Sequence, residues 1–96
     1  MRYQLSPEAT RQLIEILRRI AADNLLAARR FDKRIRRTFE TLALMPDIGT
    51  RTDTAGTLAF VFRGNYRIVY RKSMVAILII SVIHVARNWS GEGLPA

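Results

Sequence analysis

Residues 57–84 read TLAFVFRGNYRIVYRKSMVAILIISVIH, and the spacing of their apolar side chains predicts most of a β-sheet. Apolar residues alternate over 57–63 and again over 66–71, which is the period of a half-buried strand. The third run, 75–84, is β-branched and apolar on both faces, so we expect it to be the central strand. Two short segments between the runs have the composition of hairpin turns, namely Gly64-Asn65 and Lys72-Ser73-Met74.

The first half of the chain predicts one short strand and two helices. Residues 2–5 alternate as a strand, and Ser6 followed by Pro7 is typical of a helix N-terminus. The second helix covers 25–45, and the polar, Pro- and Gly-containing segment 46–56 predicts a surface loop. The apolar residues at helical spacing are Ala9, Leu13, Ile16, Leu17 and Ile20 in the first helix and Ala28, Phe31, Ile35, Phe39 and Leu42 in the second.

These elements predict an α+β fold in a single domain over 1–96. A short connection between the helices makes them an antiparallel hairpin, which we expect to pack on one face of a mainly antiparallel four-stranded sheet that includes the N-terminal strand. The tail, 88–96, contains two glycines and a proline, so we expect it to be loose.

Charge and cysteine content restrict the classes of function. Sixteen Lys and Arg residues against eight Asp and Glu give a formal charge of +8, which favours polyanions or acidic proteins as partners. The absence of cysteine and a single histidine, His84, argue against disulfides, a metal site or a metal cofactor. No segment has the apolar length of a signal peptide or a bilayer span, so we expect a cytoplasmic protein that does not contact a membrane.

The candidate functional residues are cations near the sheet. Arg67 and Arg71 differ by an even number of positions on one predicted strand, so they share a face. Guanidinium groups recognise phosphates and carboxylates, although a solvated sheet face would give the same pattern. His84 is interpreted as structural, and Trp89 either covers the core edge or contacts a partner.

The second predicted helix carries an arginine-rich segment, ARRFDKRIRRTFE, at residues 28–40. Its apolar stripe is typical of a helix that packs on a core, so its cations are interpreted as a solvated face. A helix that binds nucleic acid is the alternative.

Four segments together resemble toxins of the ParE/RelE superfamily, and more specifically its ParE branch. They are LSPEATRQLIEI (5–16), LALMPDIGTR (42–51), FRGNYRIVYR (62–71) and VAILIISVIHVARNW (75–89). The resemblance implies two helices on a twisted antiparallel sheet. It also implies one of two activities: RelE-like members cleave messenger RNA on the ribosome, whereas ParE-like members poison DNA gyrase.

The resemblance places the two arginines of the RelE active site at Arg67 and Arg87. The lysines of that site fall near Leu58 and Phe60, and its terminal tyrosine falls near Gly93, so those groups are missing. Cleavage of RNA needs groups that accept and return a proton, for which arginine is poorly suited. The set of active-site residues that the RelE ribonucleases use is therefore incomplete in this sequence, which favours the ParE branch.

The resemblance to ParE implies a toxin that poisons gyrase by binding it. We expect the contact residues of this toxin to be Arg67, Arg71, Arg87 and Trp89. The resemblance also implies a ParD-like antitoxin that contains a ribbon-helix-helix DNA-binding domain and wraps the toxin. Operator DNA would then be contacted only through the antitoxin. The residues that we expect the antitoxin to contact are Phe60, Phe62, Arg63 and Tyr66.

Two alternatives remain open at the level of sequence. One is a RelE-like ribonuclease in which Arg67 and Arg87 stabilise the transition-state phosphate and His84 is the acid or base. The other is an inactive toxin fold that is retained as a binding module.

Overall fold

The computed structural model describes residues 2–85 and shows every helix and strand that the sequence predicts, with ends that differ by one residue at most. The two helices are α1 (Pro7–Asp23) and α2 (Leu25–Leu44). The strands are β1 (Arg2–Leu5), β2 (Thr50–Arg51), β3 (Thr57–Phe62), β4 (Tyr66–Lys72) and β5 (Ala76–His84).

The strands form one sheet in the order β1-β5-β4-β3-β2. The expectation that β5 is central is confirmed, since it lies between β1 and β4. β1 pairs with β5 in parallel, and the remaining pairs are antiparallel. The fold is therefore α+β, with two helices on a mostly antiparallel sheet.

Within the described part of the chain the sheet has five strands, one more than the sequence predicted. The extra strand, β2, lies within the segment 46–56 that was expected to be a loop, and it pairs with Leu58 and Ala59 of β3. Two residues are too few to show an alternating pattern. This strand depends on the loop folding back onto the sheet, which is a tertiary contact that local sequence does not encode.

The loop that leads into β2 is anchored by Tyr70, whose ring is fully buried. Its hydroxyl donates to the backbone oxygen of Pro46 at 2.8 Å and accepts from the backbone amide of Gly49 at 3.0 Å. Burial, the largest influence, raises the pKa of this hydroxyl above its ordinary value. The anchor holds the end of α2 and the loop against β4.

The core lies between the helices and one face of the sheet. All five residues of the stripe predicted for α2 are buried, and α1 begins as predicted, with Ser6 Oγ accepting from the amide of Ala9 at 3.0 Å. Within residues 2–85, neither helix is long and apolar enough to cross a membrane. The fully buried side chains from both layers include Leu13, Ile35, Phe39, Leu42, Ile68, Tyr70, Ile77, Ile79 and Val82.

The outer edge of β5 is covered where β1 ends. The amide of Ser6 donates to Ile79 O at 2.9 Å and its hydroxyl donates to Ile80 O at 2.8 Å. Two residues beyond Ile80, Oε1 of Gln12 in α1 accepts a hydrogen bond from the amide of Val82 at 2.8 Å. Beyond the end of β1, Ser6 and Gln12 thus supply the hydrogen bonds that a neighbouring strand would make, and they protect this edge of β5 from pairing with another chain.

Candidate interaction surface

The face of the sheet opposite the helices is uncovered within residues 2–85, and it is called the open face here. The core residues Ile68 and Tyr70 point to the helices, so their neighbours Arg67, Val69 and Arg71 point away from them. Strand pairing places further residues on the open face. They are Ala59 and Val61 of β3 and Leu78, Ser81 and Ile83 of β5.

Arg67 and Arg71 are both exposed on this face, as the sequence predicted. Their Cα atoms are roughly 13 Å apart at the rise of an extended strand, with Val69 between them. A register shift near Val69 leaves Ile80 of β5 as the extra residue of a bulge. Ile80 lines a concavity together with Val69 and the two arginines.

The segment 52–54 borders the same concavity. Thr52 and Thr54 lie beside Arg67 and Arg71, and Asp53 contributes the one carboxylate that lines this concavity among residues 2–85. The Thr52 hydroxyl is already engaged, because it accepts from the amide of Thr54 at 3.0 Å and contacts Thr57 Oγ1, which itself donates to Thr54 O at 2.8 Å. The concavity therefore combines a hydrogen-bonded polar border with two exposed arginines.

Positive charge on the open face is not balanced by the strands, because none of the five contains Asp or Glu. Four ion pairs occur among the described residues, and they involve the helices, Asp47 of the following loop, and Lys72. Neither Arg67 nor Arg71 takes part in them. Both guanidinium groups are thus available to an anionic partner within this part of the structure.

His84 lies on the other face of the sheet. Its ring meets the ring of Tyr66 edge-on, with centroids 4.8 Å apart and planes at 89°, and it lines a groove beside Arg11 and Glu15 of α1. Arg67 pairs with Ile83 on the open face. The sheet therefore separates His84 from Arg67, and the two do not face a common substrate as the ribonuclease alternative requires.

The residues expected to contact an antitoxin occupy different environments. Phe62 is only 7% exposed, and its ring lies edge-on to Phe31 of α2. Phe60 and Tyr66 are half-buried and also pack against the core. Arg63 is exposed in the β3–β4 turn, so it is the most accessible of the four, and their role remains a prediction.

Two of the predicted contact residues, Arg87 and Trp89, lie outside the described residues, as does the tail at 88–96. Sequence reasoning missed the apolar part of the open face, which includes Val69 and Ile80. The signal was present in β5, whose second apolar face was attributed to its central position.

The family model described as "ParE toxin of type II toxin-antitoxin system, parDE" matches residues 3–89. The chain belongs to this family. A solved structure described as "Chromosomal ParDE TA system from P. aeruginosa" is similar in fold, with a TM-score of 0.74 and 15% identity over 88% of this chain and 95% of that chain. No curated protein matches the chain significantly. The ParE family and the observed fold confirm the resemblance on which the sequence prediction relied.

Proposed function

We propose that this ParE-family chain is a toxin that inhibits DNA gyrase by binding and does not catalyse a reaction. The observation that carries the proposal is the chemistry of the open face. Within residues 2–85, its strand residues present Arg67 and Arg71 but no His, Asp, Glu, Lys or Tyr side chain that could transfer a proton, and Asp53 lies only at its border. Arg87 and Trp89 are proposed as further target contacts on sequence grounds.

The partner that neutralises the toxin is proposed to be a ParD-like antitoxin with a ribbon-helix-helix domain, through which operator DNA is contacted. The net charge of +8 favours an acidic wrapping segment, and Arg63 is a candidate contact for it. Charge complementarity of this kind speeds association and suppresses wrong partners.

The test of this function is a supercoiling assay with purified gyrase. We expect the purified chain to block supercoiling of relaxed plasmid, and the acidic protein encoded beside it to restore activity. Transcripts should remain intact when the toxin is induced in cells. Unchanged supercoiling at a large molar excess of toxin, or codon-positioned cuts in messenger RNA, would contradict the proposal.

A further inference from the structure

The open face carries more apolar surface than a solvent-facing layer of an antiparallel sheet requires. Along the strands of such a sheet, apolar residues that face the core ordinarily alternate with polar residues that face solvent. Here the solvent side of the sheet instead carries Val69, Leu78, Ile80 and Ile83, with no layer of residues 2–85 above them. Val61, on the same face, is 60% exposed. The cluster is of the kind that marks an interaction site.

We propose that the open face binds an acidic protein segment of gyrase that also carries apolar side chains, and not the phosphate backbone of DNA. In this arrangement carboxylates of the segment pair with Arg67 and Arg71, and its apolar side chains cover Val69 and Ile80. The inference rests on the proposed function and specifies what the toxin recognises on its target.

The arrangement of the two arginines around an apolar centre favours a protein partner. A phosphate backbone offers nothing apolar to cover Val69 and Ile80, while protein interfaces combine an apolar centre with arginine at their strongest contacts. Bidentate Arg–carboxylate pairs supply both the charge and the orientation. The roughly 13 Å between the Cα atoms of Arg67 and Arg71 leaves room for apolar contact between two such pairs.

The distribution of aromatic rings argues in the same direction. Sheets that bind single-stranded nucleic acid stack bases on exposed aromatic rings. Every aromatic residue of the described strands faces the helices, namely Tyr3, Phe60, Phe62, Tyr66 and Tyr70.

The test compares two purified probes: gyrase without DNA, and a short DNA duplex without gyrase. Binding of labelled toxin is measured by fluorescence anisotropy for wild type, Arg67→Glu, Arg71→Glu and Val69→Thr. Arg34→Glu is the matched control, because it makes the same charge change on an exposed position of α2. Arg67→Lys and Arg71→Lys keep the charge and remove the bidentate geometry.

We expect wild type to bind gyrase, each Glu variant to bind it at least about tenfold more weakly, and Val69→Thr and both Lys variants to be intermediate. Arg34→Glu should bind like wild type. Tighter binding to the duplex than to gyrase, lost in the same Glu variants, would overturn the inference in favour of nucleic acid. Self-association of the toxin that the Glu variants abolish would overturn it in favour of a second copy.

The same proteins are assayed for supercoiling, which separates the two proposals. A wild-type toxin that neither binds nor inhibits gyrase contradicts the proposed function itself. A wild-type toxin that inhibits gyrase while the Glu variants inhibit equally well contradicts only the assignment of the open face. Circular dichroism of each variant verifies that a lost signal does not come from unfolding.

Discussion

The amide of Gly49 donates a hydrogen bond to the hydroxyl of Tyr70 at 3.0 Å, and this contact leaves no room for a side chain at residue 49. A Cβ atom built there would lie 2.5 Å from the Tyr70 hydroxyl and 2.9 Å from the backbone oxygen of Ala59. Residue 49 must therefore be glycine because of its neighbours on β4 and β3. The pairing of β2 with β3 depends on this close approach.

Gly49→Ala should lower the free energy of unfolding by about 1–3 kcal/mol, because the methyl group overpacks the site. Tyr70→Phe should cost a similar amount, since it leaves the Gly49 amide without its partner. Urea denaturation of both variants and of the double variant measures the coupling. We expect Gly49→Ala to lower the free energy of unfolding less in the Tyr70→Phe background than in wild type, by roughly 0.5 kcal/mol or more. Strict additivity would mean that the two residues do not clash.

The stability of the fold should fall above about pH 10 because of Tyr70, whose ordinary pKa is 10.0 and is raised by burial in the folded chain. The folded state then holds a proton that the unfolded state has lost, so the free energy of unfolding decreases as pH rises. This contribution is fully present below the unfolded pKa. Urea titrations from neutral to alkaline pH measure it.

Tyr70→Phe should flatten that alkaline decline, whereas Tyr3→Phe should leave it in place because Tyr70 is untouched. Equal pH profiles for wild type and Tyr70→Phe would show that this hydroxyl does not contribute.

Gln12→Ala should destabilise the fold by about 1–3 kcal/mol, since the amide of Val82 would lose its acceptor at the edge of β5. Denaturation in urea gives the magnitude, and hydrogen exchange at the Val82 amide should accelerate more than at neighbouring amides. Gln4→Ala, at an exposed position of β1, should change stability by no more than about 0.5 kcal/mol. Similar effects of the two substitutions would contradict the capping role of Gln12.

The sequence predicted the elements whose residues repeat with a local period. The stripe from Ala28 to Leu42, the cap at Ser6 and the alternation of Tyr66 and Arg67 all follow from neighbours along the chain. The missed features join residues that are distant in sequence. They include Gln12 bonding to Val82, Tyr70 anchoring Gly49, and β2 pairing with β3.

The features of the candidate site also divide into those that the local sequence predicts and those that depend on contacts between distant residues. The common face of Arg67 and Arg71 follows from strand parity, and the structure agrees. The separation of Arg67 from His84 required the register between β4 and β5, in which Tyr66 pairs with His84 and Arg67 with Ile83. The bulge at Ile80 changes which alternate residues of β5 face the helices, and the local sequence does not predict this change.

Arg63 has a positive φ of 57° in the β3–β4 turn, a conformation that disfavours side chains other than Asn, Asp or Gly. Arg63→Asn should therefore raise the free energy of unfolding by about 0.5–1 kcal/mol, because Asn tolerates this backbone better. Arg71→Asn, within the regular strand β4, should not stabilise the protein. If Arg63 contacts the antitoxin, the more stable Arg63→Asn variant should also dissociate from it faster, which surface-immobilised antitoxin can measure. A variant that gains stability with unchanged dissociation would place the antitoxin elsewhere.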